Sequence, residues 1–330
     1  MKYRKLLYLP LCGMLAISGC IKNTADTMSN YDNNRINMVV ADNFNLSSFN
    51  AALRRSALDQ DLQKGAGPYT VLAPSDIAFG AAGYPNAVNV LTANATIITR
   101  IANYHTLDGK YELNKLPFLF NQELRSRGGK MYATHWIKGQ DTVLTINGSR
   151  VVAKNIPASN GLIQVIDRVL TPYLHNKLGD AVAAEHELTL FTQALISSGM
   201  LADINEAGPF TIFAPANNAM IERGYASVQQ IKQTDIQQLR DLVSYHIVND
   251  RRFIYDYILS AGSSNASKQA MFNGNTIDIK LVQDPAAPGS FSTISLRGIG
   301  NTSDIAVSKR DILTGNGVLH IINGSLRQTQ

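Results

Sequence analysis

At 330 residues, 45% hydrophobic and 8% aromatic, the chain is long enough for two domains and apolar enough to bury real cores, which excludes a disordered protein. Three charges of the formal net +5 come from Lys2, Arg4 and Lys5, and without residues 1–19 the balance falls to +2. Elsewhere no run of basic residues appears, LRRS and DRRF being isolated pairs, so no nucleic-acid partner is expected.

The chain opens with a short positive head and an apolar stretch from Leu6 to Ile17. That stretch is too short to span a bilayer comfortably and suits the core of a signal peptide. Ser18 and Gly19 stand directly before Cys20. This resembles the lipobox of bacterial lipoproteins, which implies removal of residues 1–19, lipid attachment at Cys20 and a membrane partner; an ordinary signal peptide cut nearby is the alternative. Cys12 is the only other cysteine, so cleavage before Cys20 leaves a chain with no internal disulfide, held by its cores alone. The polar, Asn-rich run IKNTADTMSNYDNNR then reads as a flexible tether, giving residues 20–36 to the anchor segment. The expected location is the cell envelope, at the outer membrane, with periplasmic and surface-facing orientations both open.

Next, LSSFNAALRRSAL places Phe49, Leu53 and Leu58 on one helical face. YTVLA is β-branched, aromatic and nearly continuously apolar, as a buried strand should be. Pro74 ends its pairing, since proline lacks an N–H, and Ser75 or Asp76 is placed to cap a following helix. Ile97, Ile101 and His105 repeat at helical spacing and predict a later helix with the histidine on its core stripe. DTVLTING and GLIQVIDRVL read as strands. Helices early and strands late give an α+β domain.

The plan is then written a second time. LTLFTQALISSGML, FTIFAPANNAM, IQQLRDLVSYHIV, NTIDIKLV and GVLHIINGSL follow in the same order. Pro74 recurs as Pro215 and Tyr104-His105 as Tyr245-His246, both at an offset of 141. Asn160 recurs as Asn316 at 156, so the second copy carries fifteen more residues before its last strand; the loop VQDPAAPGSF is where they are expected. In the second helix Ile236, Leu239, Leu242, Val243 and His246 share a face, with Asp235 ahead of it, and Asn217 is placed to cap as Ser75 or Asp76 does. The boundary between copies falls near TPYLHNKLGD, whose composition leaves their relative orientation open.

These landmarks resemble the fasciclin family. Its first box appears as VLAPSDIAF and IFAPANNAM, its Tyr-His pair at 104–105 and 245–246, and its last box as NGLIQVIDRVL and NGVLHIINGSL. The resemblance implies two tandem domains, residues 37–173 and 174–327, each a β-sandwich or wedge with a cluster of helices on one side. Met220, Gln164 and Asn323 depart from the family's usual Phe, His and Asp, whereas His320 and Asp167 keep the pattern in the other copy. Divergence between copies favours a structural role for the last box.

The residues offer little catalytic chemistry. No nucleophile elbow, P-loop or dinucleotide fingerprint occurs. HELTL at His186 lacks the second histidine of a zinc motif, Leu190 standing there, and the six histidines show no ligand spacing. Ser75, Asp76 and His105 suggest a hydrolase triad, but Ala216 and Asn217 take the first two positions in the second copy. The chain therefore reads as a non-enzyme with no cofactor and no metal.

The family links the Tyr-His region to adhesion, which makes Tyr104, His105, Tyr245 and His246 candidate binding residues. The alternative is that each histidine fills a helix face and hydrogen-bonds to backbone. Trp136, the only tryptophan, lies beside Tyr132 and His135 and is a candidate contact residue or a core side chain, and the 285–291 loop is a second candidate surface. The expected function is ligand-binding adhesion to extracellular proteins or glycans, with a glycan- or small-ligand-binding accessory of an envelope nutrient-uptake system as the alternative.

Overall fold

A computed structural model describes residues 32–329. The expected signal peptide and Cys20 lie outside the described residues. In the first half, helices α1 (Ile36–Ala41), α2 (Ser47–Arg55) and α3 (Leu58–Lys64) precede strand β1 (Tyr69–Pro74). Helices α4 (Asp76–Ala81), α5 (Ala87–Thr92) and α6 (Ala95–Tyr104) follow, then β2 (Thr106–Asp108), β3 (Gln122–Ser126), β4 (Gly129–Lys138), β5 (Asp141–Ile146), β6 (Ser149–Ala158) and β7 (Gly161–Ile166). The second half repeats the order with α7 (Leu178–Ala184), α8 (Thr189–Ser197), α9 (Met200–Glu206), β8 (Phe210–Pro215), α10 (Asn217–Glu222), α11 (Val228–Gln233), α12 (Ile236–Ser244) and β9 (Ile247–Val248). It then inserts α13 (Ile254–Ser260) before β10 (Ala266–Ala270), β11 (Thr276–Gln283), β12 (Phe291–Gly298), β13 (Ile305–Thr314) and β14 (Gly317–Ile322). No helix among the described residues is long and apolar enough to cross a membrane.

Each half builds one seven-stranded mixed sheet, ordered β2-β1-β7-β6-β5-β4-β3 and β9-β8-β14-β13-β12-β11-β10. The first and last long strands lie parallel, Tyr69 opposite Gly161 and Phe210 opposite Gly317. This central position explains why YTVLA and FTIFA are nearly all apolar, the buried exceptions Thr70 and Thr211 donating to the Gly109 and Asp250 carbonyls at 2.8 and 2.7 Å. Val71 and Ala73 enter a core with Phe49, Leu53 and Ile98 under the helices. Leu72 turns the other way, into a second core with Tyr104, Met131, Leu144 and Ile146, where the sheet folds over on itself. Phe213 plays the part of Leu72 in the second half. Pro74 is the last paired residue, opposite Ile166, and Ser75 caps α4 by accepting the Ala78 N–H at 3.2 Å. Asp76 does something else: its carboxylate takes the Ser48 N–H and the Ser47 hydroxyl, both at 2.7 Å, and so caps α2. Asn217 likewise caps α8 through the Leu190 N–H at 3.0 Å rather than its own helix.

Three expectations change. The first helical run is two helices, because Ala57 adopts a left-handed conformation (φ 59°) and breaks it; Gly199 (φ 76°) marks the same break in the second half. Ile97 and Ile236 do not belong to the core stripe, being 50% and 61% exposed; Ile98, Ile101 and Ala102, and Leu239, Leu242 and Val243, carry it instead. The extra residues of the second half are also spread out. The turns between β3 and β4, β4 and β5, and β5 and β6 each hold two residues, whereas their counterparts span 271–275, 284–290 and 299–304. Only part of the insertion therefore falls in the proline-rich loop.

Candidate functional site

Both Tyr-His pairs lie inside the cores. His105 is fully buried just past the end of α6. Its Nδ1–H donates to the Ile101 carbonyl at 2.8 Å, and its Nε2 accepts the Leu170 N–H at 3.0 Å. His246 repeats both bonds, to the Leu242 carbonyl at 2.8 Å and from the Leu326 N–H at 3.0 Å. Each imidazole thus pins the segment leaving the last strand to the end of the helix. The pair of bonds fixes one neutral tautomer, and burial pushes both histidines down to about 4 against a weaker opposing effect of the carbonyl bond. Tyr104 is buried too, its hydroxyl donating to the Lys130 carbonyl at 2.7 Å and accepting from Asn147 Nδ2 at 2.9 Å. Tyr245 donates to the Thr276 carbonyl at 2.9 Å. Burial raises the pKa of both phenols. The structure brings each tyrosine and histidine together within its own half, facing the interior rather than a surface.

The last box has an equally local explanation. In β6 and β13 the register slips at a left-handed residue, Asn155 (φ 54°) and Asp311 (φ 60°), 156 positions apart. The displaced N–H of Asn155 donates to Gln164 Oε1 at 2.9 Å, and that of Asp311 donates to His320 Nδ1 at 3.0 Å. On the far side, His320 Nε2–H donates to the Arg252 carbonyl at 2.9 Å, while Gln164 Nε2 reaches the matching Tyr111 carbonyl at 3.5 Å. Glutamine reproduces the acceptor-and-donor pair of the histidine, so the substitution preserves the function of the position. Asp167 accepts the Arg150 N–H at 2.8 Å and also the Arg150 guanidinium at 2.7 Å. Asn323 accepts the matching Ala306 N–H at 3.0 Å. Carboxylate accompanies arginine and amide accompanies alanine, which accounts for the Asp-to-Asn difference.

The hydrolase triad does not assemble. Both nitrogens of His105 are engaged with backbone, and Ser75 and Asp76 hold helix ends. Among the described residues no group of His, Cys, Asp and Glu could hold a metal ion.

Trp136 belongs to the junction between the halves. It packs at a tilt of 39° against Phe120, ring centroids 4.5 Å apart, and the Arg252 guanidinium of the second half lies 4.8 Å over Phe120. The centre of the junction is Asp256 in α13, which is fully buried. Its carboxylate accepts from the Phe253 N–H at 2.9 Å, capping its own helix, and from Thr134 Oγ1 at 2.9 Å and Asn121 Nδ2 at 3.1 Å across the junction. Burial outweighs these bonds and raises its pKa to about 6. Nearby, Asp311 accepts the first N–H of α13, from Ile254, at 2.8 Å and pairs with Arg168 at 2.8 Å. Burial alone would raise its pKa, but Arg168, followed by His320 and the Ile254 N–H, holds it below the usual carboxylate range. Around these polar anchors Tyr132, Phe253, Leu313 and Val318 form a small core shared by both halves. Gly148 (φ +73°) lets a turn approach: a Cβ there would stand 2.8 Å from that of Phe253. Sequence reasoning missed this junction. Its one signal is the exchange of DGKYELNKLP for the more apolar NDRRFIYDYI after the Tyr-His helix.

Comparison with known proteins bears on these features. A family model described as the fasciclin domain matches residues 44–172 and 186–328. Periostin of Homo sapiens is 29% identical over 275 residues, covering 81% of this chain and 29% of periostin. Fasciclin-1 of Drosophila melanogaster is 25% identical over 304 residues, covering 86% of this chain and 45% of its own. The chain thus spans under half the length of either relative. A solved FAS1 domain pair from the insect cell adhesion molecule Fasciclin I aligns over 86% of this chain and 97% of its own, at 17% identity and a TM-score of 0.41.

Proposed function

The chain belongs to the fasciclin family, with two domains in tandem, and from that premise we propose that it acts by binding, as a lipid-anchored adhesion protein of the cell envelope. The observation that carries this reading is the junction. Asp256, Asp311 and the shared apolar core join two domains into one body, so whatever surfaces they present are held at a fixed spacing. Two linked modules raise avidity when both reach their targets, and a fixed geometry removes part of the ordering cost. The buried histidines point the same way. Their nitrogens serve backbone, which leaves a scaffold rather than a set of acid–base groups. Recognition of an extracellular protein or glycan falls to exposed loops, foremost the 284–290 turn that the second domain alone elongates. Cys20 supplies the membrane attachment, at the outer membrane.

The test is binding of the purified protein to cells, matrix proteins and a glycan array, repeated with 284–290 shortened to the two-residue turn of the first domain. Capture that falls with the shortened loop supports adhesion. Turnover of esterase or glycosidase substrates, lost in Ser75→Ala, would replace it with catalysis. Protease shaving of intact cells reads the facing: adhesion requires that the domains be removed.

A further inference from the structure

Beside the junction a cleft of about 510 Å³ opens between α6, the interdomain segment and β13. Its walls are mostly apolar. Ile97, half exposed at the end of the expected core stripe, lines it together with Tyr173, Leu174 and Ile312. A smaller pocket of about 150 Å³ adjoins it, sharing Thr171, Arg310, Asp311 and Leu313 with the cleft and adding Arg168.

The charges in it do not cancel. Lys309 is matched by Glu185 at 2.7 Å and Arg168 by Asp311 at 2.8 Å. Arg310 donates to the Ser292 carbonyl and lies only within 3.9 Å of the already paired Asp311. Burial, then repulsion from Arg168, works against its charge. Arg100 lines the cleft with no ion-pair partner among the described residues. Two cations are therefore left over in a largely apolar cavity. At the corresponding place in the second domain, Gln238 and Asp241 occupy the positions of Ile97 and Arg100, and the surface there is polar and carries an acid. The combination of apolar wall and spare cations is found beside α6, where β13 of the second domain faces it, and not beside α12.

We propose that this interdomain cleft binds a small amphipathic carboxylate, its apolar body against Ile97, Tyr173 and Leu174 and its carboxylate held by Arg310 and Arg100. The volume falls in the range of about 300–1,000 Å³ typical of small-molecule sites, which favour domain interfaces and few polar groups in an apolar lining. Arginine is the side chain best matched to a carboxylate, through two parallel charge-assisted bonds. The site goes beyond adhesion and stands or falls apart from it: loss of cell capture leaves it intact, and loss of the small ligand leaves capture intact.

The probes are naphthalene-2-carboxylate, its neutral carboxamide and the cationic 2-naphthylmethylamine, titrated into the full chain by calorimetry and saturation-transfer NMR. The carboxylate is expected to saturate at one site per chain, with the amide and the amine at least about tenfold weaker. Arg100→Gln removes a side chain with no ion-pair partner among the described residues, so it should weaken the carboxylate by about tenfold at unchanged melting temperature. Ile97→Asp should abolish binding, also without unfolding. Equal binding of the three probes, no saturation at millimolar carboxylate, or unchanged affinity in Arg100→Gln and Ile97→Asp would each overturn the proposal.

Discussion

The imidazoles of His105 and His246 act as two-ended staples, each holding a helix carbonyl and a distant backbone N–H. In His246→Leu the volume is kept, but the Leu326 N–H is left buried without an acceptor, at a cost of about 1–3 kcal/mol. Thermal melting should fall by several degrees; an unchanged midpoint would show that the ring has no structural role. The same residues set a pH dependence. Their pKa values drop to about 4 from 6.5, so the folded state favours the neutral form. That contribution is fully present above the unfolded value and is lost as pH falls from 6.5 towards 4, on the order of 3 kcal/mol per histidine. Melting at pH 7 and pH 5 should show a clear loss in acid, reduced in the double variant His105→Leu/His246→Leu. The Tyr-His landmarks were legible in the sequence as core-facing, while the partners that explain them were not, because Leu170 and Leu326 lie 65 and 80 residues further along the chain.

At the level of elements, the repeated strand, its terminal proline and the helix that follows were readable because local chemistry dictates them. A strand buried on both faces is largely apolar, and a proline is tolerated only where its ladder is ending. The break between α2 and α3 was hidden in the first copy, where alanine occupies the left-handed position, but written openly in the second as Gly199. Alanine carries a conformational cost there that glycine does not. Ala57→Gly should therefore stabilise the protein by about 0.5–1 kcal/mol, and Gly199→Ala should destabilise it by a similar amount. A Cβ at Gly199 meets nothing within 4 Å, so the effect isolates backbone strain from packing. Urea unfolding of both variants checks the pair of signs. The substitutions in the last box were also informative in sequence, since divergence between copies argued against catalysis. Only coordinates show that Gln164 and His320 serve the same displaced N–H.

For the whole molecule, the decisive feature was invisible to pattern reading. The junction is made by α13, which has no counterpart helix of its type in the first domain, and by one face of β4 carrying Tyr132 and Thr134. Residues 131–135 of β4 are buried on both faces, so no alternation in the sequence singles out the face that meets the second domain. Asp256 gives the junction its own pH response, opposite in sign to that of the histidines. With its pKa raised from 3.8 to about 6, its stabilising contribution is fully present below 3.8 and is lost as pH rises from there through 6. Because Trp136 is the only tryptophan and packs against Phe120, over which Arg252 of the second half lies, its emission should report docking. Asp256→Lys, which places an unpaired cation against Arg251 and Arg252, should shift that emission to the red; an unchanged spectrum would mean the aromatic pair does not depend on α13.

Differential scanning calorimetry of the wild type and Asp256→Lys bears most directly on the fusion of the two domains into one body. The wild type should unfold in a single coupled transition, and the variant in two, with the less stable domain melting earlier. Two independent transitions in the wild type, at temperatures that Asp256→Lys leaves in place, would contradict it.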